Sequence, residues 1–209
     1  QLSFIAIPFT LLAVLLLINA FNYFDGLDGT LGFSTISVLS ILYFLVIEEN
    51  IKIFLISIYI PLLIFLFFNF SIFKLPKLFL GDSGSLLLGF IMAYILIFLK
   101  SKTDIHPILL AWSVSIFVYE FLSINIIRLK LKKNIFEPGL DHLHHVLFTK
   151  WKNLFFTNFL IVTLNIIFFT IGYFSFNFFN STASLILFVC FFITYLILRL
   201  NFLSDKNVN

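Results

Sequence analysis

The sequence predicts an all-α fold, a polytopic membrane helix bundle with about seven transmembrane helices. Three observations support this prediction. Of the 209 residues, 61% are hydrophobic and 11% are charged, whereas soluble domains carry roughly 25% charged residues. The apolar residues form long runs, and a helix of about 20 apolar residues crosses the hydrocarbon core of a bilayer. Asp25, Asp28, Asp82, Asp141 and three of the four histidines lie in three short breaks between these runs.

Seven apolar runs are candidate membrane spans. In chain order they cover residues 2–18, 31–47, 51–70, 85–99, 107–127, 154–176 and 183–203. Pro61 lies inside the third run and predicts a kink, whereas Pro107 opens the fifth run, where proline suits the first helical turn. We treat residues 1–209 as a single transmembrane domain.

The distribution of Lys and Arg orients the bundle. Two spans separate each pair of successive breaks, so all three breaks return to the same face of the membrane. Ten of the 13 Lys and Arg residues fall on that face and three on the other, which places the breaks in the cytoplasm by the positive-inside rule. The formal net charge of +3 reflects this clustering at span ends. No basic face of the kind that binds nucleic acid is present in the sequence.

Oxygen-bearing side chains recur every three residues in the first break. They belong to Asn19, Asn22, Asp25 and Asp28, and each aspartate is followed by a glycine, which permits a tight turn. Carboxylate and amide oxygens at the end of a membrane helix suit a hard cation such as Mg²⁺ or a polar ligand. The alternative is an ordinary loop in which Asn, Asp and Gly simply form turns.

The second break, residues 80–85, places Asp82, Ser83 and Ser85 directly before the fourth span. These side chains can cap the helix by accepting hydrogen bonds from its first N–H groups. The same helix start, with glycines close by, can instead accept a phosphate group while Asp82 holds a metal ion beside it.

The third break carries His142, His144 and His145 after Asp141. Histidines two residues apart point to the same side of an extended segment and to opposite sides of a helix. One interpretation is a metal-ligand cluster for Zn²⁺ or a similar ion. A second is a phosphate- or nucleotide-binding loop with imidazolium donors. A third is a solvated juxtamembrane loop attracted to anionic lipid.

Taken in order, the three breaks resemble the motifs of a known enzyme family. The motifs are Asn19-Ala-Phe-Asn-x-x-Asp-Gly-Leu-Asp-Gly29, Phe79-Leu-Gly-Asp-Ser-Gly-Ser85 and His142-Leu-His-His145. They are similar to those of the polyprenyl-phosphate N-acetylhexosamine-1-phosphate transferases, glycosyltransferase family 4. The resemblance implies transfer of a sugar 1-phosphate from a UDP-sugar to undecaprenyl phosphate, with release of UMP. It also implies a multi-pass protein of the bacterial inner membrane with a cytoplasmic active site.

The resemblance further implies roles for individual residues. Catalytic roles fall to Asp25, Asp28, Asp82, His142, His144 and His145. The metal ligands are Asp82, Asp25 and Asp28, which hold Mg²⁺ or, as an alternative, Mn²⁺. Substrate-binding roles fall to Asn19, Asn22, Ser83, Gly84, Ser85 and Arg128. The expected partners are the UDP-sugar, undecaprenyl phosphate and the lipid bilayer, with a homodimer as one assembly to be tested.

The third motif indicates the branch of the family. The His-Leu-His-His form resembles the WecA-like branch, whereas MraY-like members carry adjacent histidines followed by Phe-Glu. N-acetylglucosamine 1-phosphate is therefore the expected group transferred. One departure is the position of Asp141, which lies next to His142 instead of two residues earlier. This departure leaves the role of Asp141 open.

A second departure is that the chain contains no adjacent pair of aspartates, whereas the family has one on an earlier cytoplasmic loop. The family also has about three to four more spans before this region. We therefore expect the sequence to be the C-terminal part of a longer transferase, inactive when expressed alone.

Two alternatives to an active transferase remain open from the sequence. The first is a catalytically inactive fragment or paralogue of the same family. The second is a membrane transporter for a metal ion or another solute, which would place ionisable groups near the middle of its spans. Glu120 is the acidic residue placed in this way.

Overall fold

The computed structural model describes residues 3–135 and 139–206. All of the regular elements in this part of the chain are helices, which confirms the predicted all-α class. The chain divides into two compact units, Gln1–Ile105 and His106–Asn209, and each is described by itself. That residues 1–209 form one transmembrane domain stays a prediction.

The first unit is built from two packed helix pairs. Its helices are α1 (Ser3–Tyr23), α2 (Thr30–Leu45), α3 (Glu49–Asn69) and α4 (Gly81–Lys102), with a short 3-10 turn at Ile72–Lys74. Helix α1 packs along α4, and α2 packs against α3. Gly89 of α4 permits the close approach to α1, because a Cβ at this position would lie 2.8 Å from the Cα of Ile18.

The second unit contains two long helices and three shorter ones. They are α5 (Pro107–Ser113), α6 (Ser115–Lys130), α7 (Leu143–Trp151), α8 (Leu154–Phe178) and α9 (Ser181–Lys206). Pro107 lies at the start of α5, as predicted. Gly172 of α8 faces the indole ring of Trp112, and any Cβ at that position would overlap the ring.

The predicted fifth span is not one straight helix. Helices α5 and α6 meet near Val114 at an angle of 71°. The break leaves backbone groups without helical partners, and the Asn165 amide on α8 donates to the carbonyl of Ser113 at 3.2 Å. A buried side chain therefore supplies a hydrogen bond where the helix bends, as the low dielectric of a membrane protein requires.

About seven spans were predicted, and a helix or the bent pair α5–α6 occurs at each predicted position. Among the described residues, five helices are long and apolar enough to cross a membrane, or six if the bent pair α5–α6 counts as one span. Helix α2, predicted as a span over 31–47, is apolar but has only 16 residues. Pro61 lies inside α3, which continues through it from Glu49 to Asn69. The multi-pass architecture is therefore confirmed.

Candidate functional site

The first two polar breaks lie together at one end of the first unit. The C-terminal end of α1 carries Asn22, and the first turns of α4 carry Ser85. The Ser85 hydroxyl donates to Oδ1 of Asn22 at 2.6 Å, and Ser85 is fully buried. This hydrogen bond joins two residues that were predicted separately from motifs more than 60 positions apart.

Asn69, which was not among the predicted site residues, connects the same two loops. Its Oδ1 accepts from the backbone N–H of Gly29 at 2.7 Å, and its Nδ2 donates to the carbonyl of Leu78 at 2.8 Å. Asn69 is buried at the end of α3. The side chain therefore fixes the turn of the first motif against the segment that leads into the second. The sequence feature that could have indicated this role is the position of Asn69, a polar residue at the end of an apolar run.

The pKa of Asp25 at this junction depends on the charge of Asp82. Burial raises the pKa of Asp25 to about 6, and the negative charge of Asp82 contributes to the increase. Asp82 is exposed in the first turn of α4. Two carboxylates that repel each other in this way are stabilised by a shared cation, and Mg²⁺ is commonly held by one or two carboxylates together with substrate phosphates.

Asp28, the third predicted metal ligand, has a different partner. Its Oδ2 lies 2.6 Å from Nζ of Lys77, whose ammonium group also lies 4.9 Å from the ring centre of Phe79. In the described part of the chain, no three His, Cys, Asp or Glu side chains form a group that could hold a metal ion. Asp25 and Asp82 are therefore the better candidates for a metal site.

The start of α4 differs from the predicted one. The helix begins at Gly81, four residues earlier than expected, and its N-cap is Leu80, which makes no side-chain capping bond. The capping role considered for Asp82 and Ser83 is therefore wrong, because both lie inside the first turn. Free N–H groups and the positive end of the helix dipole remain at this position.

The remaining predicted residues of this unit are less closely associated with the junction. Asn19 is exposed, and its amide donates to the carbonyl of Leu15 on the preceding turn of α1 at 2.7 Å. Ser83 is exposed beside Asp82. Gly84 packs next to the side chain of Leu80, which lies 3.0 Å from the position of a Cβ.

The three histidines cluster at the start of α7 in the second unit. His142 is the N-cap, and His144 and His145 lie in the first turn. The ring centres of His142 and His144 are 5.7 Å apart with the rings nearly parallel, and those of His144 and His145 are 4.2 Å apart. The extended N-cap followed by a helical turn therefore brings together side chains that a regular helix would separate.

Burial excludes one of the interpretations of this cluster. His142 and His144 are buried, with exposed fractions of 8% and 1%, so the solvated-loop interpretation is wrong. Burial lowers the pKa of His142, although the charges of Glu120 and Asp141 oppose the decrease. Burial also lowers the pKa of His144 well below the ordinary value, and the charges of neighbouring groups contribute to that decrease. Burial therefore disfavours the protonated form of His144, which favours a neutral hydrogen-bonding role over that of an imidazolium donor.

Asp141, whose role was open, forms an ion pair with Arg128. Nη2 and Nε of Arg128 donate to the two carboxylate oxygens at 2.6 and 3.0 Å, and Nη1 donates to the carbonyl of Ile135 at 2.9 Å. Burial alone would raise the pKa of Asp141, but the hydrogen bonds and charge of Arg128 lower it to about 2. Arg128 thus holds the segment before the histidines; its predicted contact with substrate stays a prediction.

A buried ionic network lies next to the histidines. Glu120 of α6 is fully buried, and its carboxylate accepts from the hydroxyl of Tyr195 at 2.6 Å and from Arg199 at 3.0 and 3.1 Å. It also accepts from the backbone N–H of Leu143 at 2.7 Å. The sequence identified Glu120 as an isolated acidic residue. The sequence feature that could have indicated its partner is Arg199, which lies inside the last apolar run.

Comparison with known proteins agrees with the motifs. Residues 1–100 match the model of Glycosyl transferase family 4. The chain is 34% identical over 73 residues to the undecaprenyl-phosphate alpha-N-acetylglucosaminyl 1-phosphate transferase of Escherichia coli (strain K12). Identity is 34% over 74 residues to the protein of the same name from Pasteurella multocida (strain Pm70) and 32% over 73 residues to that from Yersinia pestis.

These similarities cover part of the chain. The matched stretch spans 34% of this chain and about a fifth, 20%, of each of these relatives. The family match includes the first two motifs and ends before the histidines. No solved structure matches the chain.

Proposed function

We propose that this chain, whose first 100 residues match the model of Glycosyl transferase family 4, takes part in transferring N-acetylhexosamine 1-phosphate from a UDP-sugar to undecaprenyl phosphate. N-acetylglucosamine is the sugar we favour, in keeping with the names of the relatives. The observation that carries the proposal is the junction of α1 and α4, where the hydrogen bond from Ser85 to Asn22 joins the first two motifs beside an uncapped helix start.

The proposed reaction joins two anions. An oxygen of the lipid phosphate attacks the phosphorus attached to the sugar, the bond from that phosphorus to the bridging oxygen of the diphosphate breaks, and UMP leaves with the electron pair. Mg²⁺, or Mn²⁺ in its place, would neutralise the diphosphate and stabilise the leaving UMP when bound. Asp25 and Asp82 are the residues that would hold it, and their mutual repulsion fits a shared cation.

The first turn of α4 supplies further groups for phosphate. Its unpaired N–H groups and the exposed Ser83 can donate to phosphate oxygens. Asn22 and Ser85 are bonded to each other and fix the ends of α1 and α4. To His142, His144 and His145 we assign hydrogen bonding to phosphate or sugar, and we place the site on the cytoplasmic face of the bacterial inner membrane.

The transporter alternative receives less support from the geometry. A transport site needs an ionisable group that is accessible to its cargo. Glu120, the residue that suggested transport, instead accepts four hydrogen bonds from Tyr195, Arg199 and the backbone of Leu143. Its carboxylate is therefore engaged in holding the second unit together.

A UMP-release assay tests the proposed function. The complete gene product, with any segment that precedes Gln1, is incubated in detergent with UDP-N-acetylglucosamine, undecaprenyl phosphate and Mg²⁺, and UMP is measured over time. We expect Asp82→Asn to reduce turnover by about a hundredfold or more, since a lost metal ligand costs several kcal/mol in the transition state. Glu49→Gln, which removes an exposed carboxylate paired with Lys52, is the matched control and should turn over normally.

Two further arms make the assay decisive. Removal of divalent ions with EDTA should abolish UMP release, and added Mg²⁺ should restore it. Turnover of Asp82→Asn equal to that of Glu49→Gln would exclude Asp82 from the metal site. Absence of lipid-dependent UMP release by the wild-type protein would contradict the transferase and favour an inactive paralogue.

A further inference from the structure

The buried carboxylate of Glu120 contacts the start of the histidine helix directly. Its Oε1 accepts from the backbone N–H of Leu143, the first residue of α7, at 2.7 Å. The same oxygen accepts from Nη2 of Arg199 at 3.0 Å, while Oε2 accepts from Nε of Arg199 at 3.1 Å and from Tyr195 at 2.6 Å. Three elements, α6, α7 and α9, therefore meet at one carboxylate.

This contact replaces a local helix cap. The first N–H groups of a helix have no intrahelical partner, and an N-cap side chain usually satisfies one of them. The N-cap of α7 is His142, which makes no side-chain capping bond. A carboxylate at this end of the helix also interacts favourably with the helix dipole. Glu120 thus caps α7 from a different helix and leaves the imidazole of His142 out of the capping role.

Arg199 bonds the backbone on the N-terminal side of His142. Its Nη2 also donates to the backbone carbonyl of Asp141, so the peptide groups before and after His142 are bonded to the ion pair. Glu120 and Arg199 have exposed fractions of 0% and 2%. Buried charge-assisted hydrogen bonds are stronger than exposed neutral ones and define a single geometry.

We propose that Glu120 and Arg199 are positioning residues for the histidine cluster. Together they fix the backbone on both sides of His142 and thereby set the orientation in which His142, His144 and His145 meet a ligand. The inference that this orientation serves phosphate or sugar binding rests on the proposed function, whereas the anchoring of α7 does not.

Hydrogen–deuterium exchange of the full-length protein in lipid nanodiscs tests the anchoring. The double variant Glu120→Leu with Arg199→Leu removes both charges and leaves no lone buried charge, which would itself destabilise the fold. We expect exchange in residues 139–151 to accelerate about tenfold to a hundredfold, the range that corresponds to loss of a hydrogen bond to a charged group. Exchange in α8 should stay as in the wild type.

Two single variants provide a matched comparison. Tyr195→Phe removes one hydrogen bond to Oε2 and leaves Oε1 bonded to Leu143, so exchange at the start of α7 should stay within about twofold of the wild type. Glu120→Gln keeps an acceptor oxygen and the side-chain shape and should give an intermediate acceleration. If the double variant fails to fold, the comparison of Glu120→Gln with Tyr195→Phe decides the question. Equal exchange at α7 in these two variants would overturn the anchoring.

The UMP-release assay separates this inference from the proposed function. If both hold, Glu120→Gln lowers kcat or raises KM for the UDP-sugar about tenfold, measured at a temperature at which both Glu120→Gln and Tyr195→Phe remain folded. Normal kinetics in Glu120→Gln, together with faster exchange, would overturn the link between anchoring and ligand binding. A wild-type protein without UMP release would refute the proposed function, and the exchange data would still decide the anchoring.

Discussion

Replacement of Asp141 by asparagine should destabilise the protein in a pH-dependent manner. Asp141→Asn keeps the side-chain shape but removes the negative charge that faces Arg128. Arg128 donates two hydrogen bonds to this carboxylate and has only 3% of its surface exposed. The variant therefore leaves a largely buried guanidinium without its counter-charge, which is a costly arrangement in a protein interior.

The magnitude follows from the pKa of Asp141. The pKa decreases from 3.8 to about 2 in the folded protein, and each unit corresponds to about 1.4 kcal/mol of stability. The full difference is about 2.5 kcal/mol. Because 20% of the Asp141 side chain is exposed, solvent screening reduces this contribution, and we expect about 1 to 2 kcal/mol at pH 7.

The sign of the pH dependence is also determined. A carboxyl group with a lowered pKa in the folded state contributes its stability above its unfolded pKa, near 4, and loses it as the pH falls through the folded value of about 2. Wild type and Asp141→Asn should therefore differ fully above pH 4 and converge towards pH 2.

Chemical unfolding in detergent, followed by circular dichroism from pH 2 to pH 7, measures this difference. Asp104→Asn, which alters an exposed carboxylate, is the control and should follow the wild type throughout. A constant difference between Asp141→Asn and wild type across this range would refute the reasoning, because the loss would then be independent of the charge on Asp141.

Three packing predictions can be checked by thermal unfolding in detergent. Gly89→Ala should destabilise by about 1–3 kcal/mol because its Cβ meets the backbone of Ile18. Gly172→Ala should destabilise by a similar amount and shift the fluorescence of Trp112, whose ring occupies the space of the new Cβ. Asn69→Leu should cost about 2–4 kcal/mol, since it leaves two loop backbone groups without their side-chain partner.

Each packing prediction has its own control. Gly84→Ala lies in the same helix as Gly89 but meets only the flexible side chain of Leu80, so equal destabilisation by both alanines would contradict the backbone clash. For Gly172→Ala, unchanged tryptophan emission would be the contrary result. Asn177→Leu, at an exposed position on α8, should have little effect, and an equal effect at Asn69 would show that its two bonds contribute nothing.

Much of the helical architecture could be predicted because its cause is local. A membrane span needs a run of apolar residues, and such runs predicted helices close to α1, α3, α8 and α9. The prediction was incomplete where the length or the bending of a helix depends on contacts with other helices. Helix α7 has only nine residues, several of them polar, and was not predicted at all. The bend near Val114 depends on contacts with α8 that no local pattern reveals.

In the candidate site, too, the sequence predicted the residue types, whereas tertiary contacts decided their partners. The residue types in the three breaks predicted which side chains carry the chemistry, and the first two motifs lie in the part of the chain that matches the family. The sequence did not predict that Asn22 bonds Ser85 or that Asp28 pairs with Lys77. These choices of partner depend on distances between segments remote in sequence.

The sequence by itself determined the class of the protein, the approximate positions of most helices and the polar residues between them, because hydrophobicity and motif chemistry are properties of neighbouring residues. The tertiary structure alone decided burial and pairing. It buries His144 and lowers its pKa, and it lowers the pKa of Asp141 through Arg128. It also pairs the carboxylate of Glu120 with the backbone N–H of Leu143 at the start of α7. Desolvation and charge pairing arise only when distant segments pack together.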